Sequence, residues 1–293
     1  MIKKLASFAK INLFLYVTGK RKDGYHNLHS LMTQIDLCDD LYIDFSQKEL
    51  SILCDHPGVP EDESNLVYKA AVLFYQSLKK INSNIEKGFS IKIIKRIPPG
   101  RGLGGGSSNA ASVLMALNTY YKTPFSKIEL MILGAKLGAD VPFFIFGHPA
   151  IARGIGERLE KVDNLKFYHL VLCDPGVTAS TAMVYKNIDY RLTLNQKYNI
   201  YAGLNEQLLG LEFDVRDQMH NDLEESARRL YPEIKKTKEE MAVLLQRKVY
   251  MTGSGSSLFA LFSARENAQK GFEKLLKTCA GSKKKVFLSS FNS

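Results

Sequence analysis

Residues 97 to 109 read Ile-Pro-Pro-Gly-Arg-Gly-Leu-Gly-Gly-Gly-Ser-Ser-Asn, with five glycines between Gly100 and Gly106. Just upstream, Phe89 to Lys95 alternates like a strand, and from Ala110 onward the apolar residues have helical spacing. The order strand, glycine turn, helix constrains the fold more than any other feature of the chain. Glycine lacks Cβ, so the backbone can adopt φ > 0 and lie against a ligand. The following helix offers unpaired N–H groups and the positive end of its dipole, a cradle for phosphate oxygens. The P-loop pattern fails, because no lysine follows Gly105 or Gly106. The dinucleotide pattern matches at Gly100, Gly102 and Gly105, but it also needs an acidic residue ending a second strand about 20 residues on. Around Glu129 the chain reads as a helix instead.

The chain has 293 residues, enough for a sizeable core and one or two domains. No apolar run approaches the roughly 20 residues that cross a bilayer, and the N-terminus has no signal-peptide pattern. Cys38, Cys54, Cys173 and Cys279 are far apart in sequence, so the expectation is no metal site, no disulfide frame and a cytoplasmic location. The net charge of +10 raises nucleic acid, anionic membranes and anionic small molecules as partners. The lysine clusters near 235 and 284 lack interleaved aromatics and read as solvated faces. Lys20-Arg21-Lys22, beside Asp23-Gly24-Tyr25-His26, is the better candidate for an anionic small molecule.

Residues 7 to 17 alternate strictly. Ala9, Ile11, Leu13, Leu15 and Val17 share one face, and Phe8, Lys10, Asn12, Phe14 and Tyr16 the other. Lys10 between two phenylalanines is either a lysine with an anionic partner or one that snorkels at an edge. Tyr25 and His26 are either packing residues or a ring that stacks on a base and a group that bonds its edge. Asn65 to Leu78 reads as a helix capped by Ser64, with Leu66, Ala70, Leu73 and Leu78 on its apolar side. Ser126 to Leu137 reads as another, closed by Gly138. Asp140 is either an N-cap ahead of Pro142 or a base walled by Val141, Phe143 and Phe144. A soft boundary falls near residue 160. Beyond it, helices are expected at 199–210, 219–230, 232–246 and 265–278. Strands are expected at 166–173, 248–251, 258–262 and 286–289, an α+β pattern.

Three separated pieces, Ala9-Lys10-Ile11-Asn12-Leu13, Pro98 to Asn109 and Thr252 to Ser257, resemble in order and spacing the three motifs of the GHMP kinases. Gly24-Tyr25-His26, Gly138 to Pro142 and Asp174-Pro175-Gly176 narrow the resemblance to members that phosphorylate a cytidine-diphosphate sugar alcohol in isoprenoid biosynthesis. The resemblance implies an α+β two-domain fold. Residues 1–160 would form a ribosomal-S5-like ATP-binding domain, and 161–293 a ferredoxin-like domain completing the substrate site. It implies ATP as co-substrate and Mg²⁺ held mainly by phosphates, with no residue assigned to a metal. Asp140 becomes the general base and Lys10 its orienting cation. Pro98, Pro99, Gly100, Arg101, Gly102, Leu103, Gly104, Gly105, Gly106, Ser107 and Ser108 would wrap the ATP phosphates, with Asn65 and Lys95 toward the adenine. Asn12, Tyr25, His26, Thr181 and Tyr185 would hold the acceptor. The turn Thr252 to Ser257 either supports the phosphate region or merely connects strands. Arg101 stands where the family usually has a small residue, adding a phosphate contact or pointing outward. The resemblance further implies a monomer or weak homodimer with no nucleic-acid or membrane partner. The rival readings are a homoserine, mevalonate or galactose-type kinase, and a non-catalytic nucleic-acid-binding protein.

Overall fold

The computed structural model describes residues 2–81, 88–188 and 212–292. It divides into two compact units. One comprises Met1–Ala9, Leu37–Pro99 and Gly104–Gly147, the other Lys10–Asp36, Gly100–Leu103 and His148–Ser293. Two neighbouring 19-residue strands, β1 (Ile2–Lys20) and β2 (His26–Asp44), each contribute residues to both units. The alternation expected for residues 7–17 lies within β1. There, however, both faces are covered: Ile11 and Leu13 are buried, and so are Lys10, Asn12 and Phe14. The turn between the strands is closed by Arg21 N–H on the Tyr25 carbonyl at 2.8 Å.

In the first unit, the end of β2 pairs antiparallel with β4 (Phe89–Ile94), which pairs in parallel with β3 (Leu50–Cys54). Four helices accompany these strands: α1 (Leu66–Lys79), α2 (Gly105–Tyr120), α3 (Lys127–Ala135) and α4 (Val141–Phe146). α2 packs against α1 and α4. It buries Ala110, Ala111, Val113, Leu114 and Leu117 at once, as a helix enclosed on most sides does. It begins at Gly105, five residues earlier than expected, so Gly105 to Ser108 are helix rather than loop. α1 is capped by Asn65, not Ser64: Asn65 Oδ1 accepts from Val67 N–H at 2.9 Å. Its buried side is Val67, Ala70, Ala71, Phe74, Tyr75 and Leu78, with Leu66 and Leu73 only half-buried. α3 carries a reciprocal cap between Ser126 and Glu129 and ends at Ala135, before the expected Leu137.

In the second unit, the start of β2 pairs antiparallel with β5 (Ala150–Gly154), and β5 with β6 (Arg158–Lys161). No residue pattern between 150 and 161 signals this hairpin. A second sheet runs in the order β11 (Lys285–Ser290), β7 (His169–Asp174), β10 (Leu258–Phe262), β9 (Tyr250–Met251), antiparallel throughout. Its core joins Val171, Cys173, Leu258 and Ala260 to side chains from three helices. These are 223–230, 232–245 and 265–279, here α6, α7 and α8, and their core residues are Ala227, Met241 and Leu275. Before α6, β8 (His220–Asn221) pairs in parallel with β1. That stretch had been expected to be helix. A short helix, α5 (Thr181–Lys186), is capped by Ser180. The helix expected at 199–210 lies outside the described residues.

Candidate active site

In the second unit, the middle of the glycine turn, part of β1 and the turn after β9 come together. Lys10 N–H donates to the Leu103 carbonyl at 3.0 Å, which fastens Gly100–Leu103 along β1. Gly102 has φ +76°, and a Cβ there would lie 2.4 Å from the Thr252 carbonyl oxygen, so only glycine fits. Thr252 Oγ1 accepts from Asn12 N–H at 2.9 Å, and Ser257 N–H donates to the Arg101 carbonyl at 3.2 Å. Asn221, passed over in the sequence because its segment was read as helix, donates to the Met251 and Gly253 carbonyls at 2.8 and 2.9 Å. The turn Thr252–Ser257 is therefore more than a strand connector.

Lys10 is 3 % exposed, so it does not snorkel. Its Nζ donates to Asn12 Oδ1 at 2.6 Å, while Asn12 Nδ2 donates to Ser30 Oγ at 2.8 Å. A Cβ on Gly253 would come within 3.4 Å of that ammonium. An ammonium held this deep needs polar or anionic company. The Asn12 amide supplies part of it and fixes the direction of the lysine.

Tyr25 sits at the tip of the β1–β2 turn and is 60 % exposed. His26 stacks on Tyr185 of α5, with ring centroids 5.0 Å apart. Burial first, and the Lys20 charge second, lower the His26 pKa, so its imidazole is neutral at pH 7, with one donor and one acceptor nitrogen. Thr181 Oγ1 is 2.8 Å from Ser254 Oγ. Arg21 is engaged by Asp23, Nη2 to Oδ2 at 2.8 Å. The Arg101 side chain neither points outward nor stands open for a phosphate. Its Nε is paired with Asp174 Oδ1 at 2.8 Å, and its Nη1 donates to Thr178 Oγ1.

In the first unit, Pro98 is buried and Pro99 half-buried, and Gly104 (φ +70°) opens α2 with no side-chain cap. The first-turn N–H groups of Gly105, Gly106 and Ser107 precede the intrahelical ladder, which is what an anion needs. Ser108 N–H already bonds the Gly104 carbonyl at 2.8 Å. Its hydroxyl is buried against Ser7 Oγ at 2.8 Å. Below this turn, Lys95 Nζ pairs with Asp39 Oδ2 at 2.5 Å, and both side chains are buried. Asp39 also accepts from Asn109 Nδ2 and from the N–H groups of Arg96 and Ile97. The sequence reading passed over Asp39; an aspartate among the apolar residues of a strand was the available signal. Asn65 is occupied as the α1 cap and as donor to the Pro60 carbonyl at 2.6 Å.

Asp140 stands at the N-cap position of α4, yet its side chain makes no capping bond, and its φ and ψ are helical, −83° and −15°. A Cβ on Gly138, two residues earlier, would lie 3.7 Å from Ser107 Oγ, so the Asp140 turn adjoins the first turn of α2. Among the described residues no three His, Cys, Asp or Glu side chains cluster to hold a metal ion. No described helix is long and apolar enough to cross a membrane.

The GHMP kinases N terminal domain matches residues 65–148, and the GHMP kinases C terminal domain residues 211–281. The 4-diphosphocytidyl-2-C-methyl-D-erythritol kinase of Citrifermentans bemidjiense is 39% identical over 94% of this chain and 94% of its own length. A crystal structure of 4-(cytidine 5'-diphospho)-2C-methyl-D-erythritol kinase superposes with a TM-score of 0.78. It is 32% identical and covers 99% of this chain and 100% of its own. The homoserine kinase of Cytophaga hutchinsonii shares the fold, with a TM-score of 0.74 at 19% identity over 99% of this chain and 95% of its own. The chain belongs to the GHMP kinases and, within them, to the 4-diphosphocytidyl-2-C-methyl-D-erythritol kinase family. The two matched domains fall on either side of residue 160, whereas the compact units interleave through β1, β2 and the glycine turn.

Proposed function

We propose that this kinase transfers the γ-phosphoryl group of ATP to the 2-hydroxyl of 4-diphosphocytidyl-2-C-methyl-D-erythritol, in the non-mevalonate isoprenoid pathway. The observation that carries the proposal is the meeting of Lys10 and Asn12, Gly100–Leu103 and Thr252–Ser257 around one buried ammonium. In this reading Asp140 takes the proton of the hydroxyl as its oxygen bonds to the γ-phosphorus. The bond from that phosphorus to the β,γ-bridging oxygen breaks, and ADP leaves. Lys10 orients the hydroxyl and stabilises the charge that develops during the transfer. Such transfers depend chiefly on positioning and charge neutralisation.

The stretch from Pro98 to Ser108 holds the phosphates through backbone N–H groups. Mg²⁺ would be held mainly by the nucleotide's phosphates and would supply further charge neutralisation. Lys95 and Asn65 shape the adenine side through the structural bonds they already make. Tyr25 stacks on the cytosine, which His26 reads by hydrogen bonding, and Tyr185 holds the His26 ring. Asn12 and Thr181 complete the acceptor contacts. The enzyme works in the cytoplasm as a monomer or weak homodimer. Turnover of ATP with a panel of acceptors tests the assignment: the cytidyl substrate, homoserine, mevalonate and galactose. Phosphorylation of the cytidyl compound alone supports it, and preference for any of the others overturns it.

A further inference from the structure

We infer that Arg101 is a positioning residue that latches the phosphate-binding turn to the segment carrying Thr181 and Tyr185, so that nucleotide and cytidyl acceptor bind cooperatively. The inference rests on the kinase reading of this site and adds a coupling between its two ligands.

Arg101 lies between Gly100 (φ +68°) and Gly102 (φ +76°), at the centre of the turn. Its side chain folds back against Asp174, at the end of β7, with only 14 % of the arginine side chain and 5 % of the aspartate exposed. The same guanidinium reaches Thr178 Oγ1, four residues further on. Asp174 Oδ1 also accepts from Gly176 N–H at 2.9 Å, which fixes the Asp-Pro-Gly turn. A planar guanidinium is suited to ion-pairing with a carboxylate through one nitrogen while another donates to a hydroxyl, and an ammonium is not. Removing either partner of so enclosed a pair would leave an uncompensated charge, so the pair moves as one body.

Two further links close the ring. The Arg101 carbonyl accepts from Ser257 N–H at 3.2 Å, and Ser256 Oγ donates to the Val177 carbonyl at 2.5 Å. Thr181 Oγ1 meets Ser254 Oγ at 2.8 Å. Residues 100–103, 174–181 and 254–257 are thereby bonded to one another in a circuit, and Arg101 is the only side chain of the turn in it. α5 begins where this circuit ends, at the Ser180 cap, and carries Tyr185 against His26. Phosphates that settle the turn therefore settle α5 as well, and by linkage the acceptor settles the turn.

The test is calorimetric binding of a non-hydrolysable ATP analogue and of the cytidyl acceptor, each alone and each with the other saturating. Wild-type protein should show mutual tightening, in the range of about 5- to 150-fold typical of coupled sites. Arg101→Ala should reduce that factor to about 1. Asp174→Asn should do the same, and the double variant should lose no more than either single one. Thermal melting establishes that each variant is folded, and Arg101→Gln serves if either of the others is not. Tightening that survives in a folded Arg101 variant overturns the latch. So does an Arg101→Ala protein that loses analogue affinity outright while Asp174→Asn keeps the coupling, since Arg101 would then be a phosphate ligand. Wild-type protein that binds both ligands independently removes the latch and leaves the kinase reading standing. Wild-type protein that does not bind the acceptor removes both, before any variant is made.

Discussion

At the scale of single residues, Lys10 and Asp140 show how far side-chain chemistry could be read from the chain. A lysine flanked by phenylalanines in an alternating strand signals a buried charge, and Lys10 is buried with Asn12 fixing its direction. Asp140 ahead of Pro142 looks like a helix cap, but the carboxylate makes no capping bond. Asp140→Asn, shown by thermal melting to be folded, should lower kcat by about 100- to 10,000-fold, the usual worth of a positioned general base. A kcat within a factor of a few of wild type would strip Asp140 of that role. Tyr25, 60 % exposed, has little packing to lose. Tyr25→Ala should raise the acceptor KM by an amount matching the roughly 1–3 kcal/mol of a base–aromatic stack, with the ATP KM unmoved. Equal effects on both substrates would mean that Tyr25 does not stack on the cytosine. Arg101 marks the limit at this scale. Its partners Asp174 and Thr178 are more than 70 residues away in sequence, and no local pattern reports such a pairing.

At the scale of elements, legibility followed how local the cause was. β10 coincides with its sequence pattern, since a short apolar run between turn residues is a sufficient signal. The start of α2 was misplaced because glycine is a poor helix former; packing of α2 against α1 and α4 overrides that preference. The β5–β6 hairpin was illegible because β6 is four residues long, mostly charged and exposed, held by its ladder to β5. At α1 both Ser64 and Asn65 are good cap residues, and only coordinates show which one turns its oxygen onto the Val67 N–H. Asn65→Ala removes that bond and the one to the Pro60 carbonyl. Loss of a cap of this kind costs about 1 kcal/mol, so urea unfolding should show a lower midpoint at unchanged slope. Unchanged stability with a raised ATP KM would instead assign Asn65 to the nucleotide alone.

At the scale of the whole molecule, the division of the chain was the least legible feature. A change in composition suggests one cut near residue 160, but β1 and β2 are long enough to serve both units, and strand length is set by partners remote in sequence. The same long strands bury a titratable group on which global stability depends. His29, opposite Arg153 in the β2–β5 ladder, is 3 % exposed and lies 5.5 Å from the Phe14 ring. Burial, with a smaller push from the Arg153 guanidinium and some opposition from Glu160, lowers its pKa from 6.5 to about 4. The folded protein therefore keeps His29 neutral where the unfolded chain, titrating near its ordinary value of about 6.5, has taken up a proton. Between those two values the unfolded state binds more protons, so stability is full above pH 6.5 and is lost as the pH falls toward 4. At pH 4.5 the loss from this one group amounts to about 2–3 kcal/mol. Carboxylates also lose stabilising interactions in acid, so the measurement is a difference. Urea unfolding of wild type and of His29→Phe, at pH 7 and at pH 4.5, should show wild type losing about 2–3 kcal/mol more than the variant. Equal losses in the two proteins would show that His29 is not held neutral by its place between the strands.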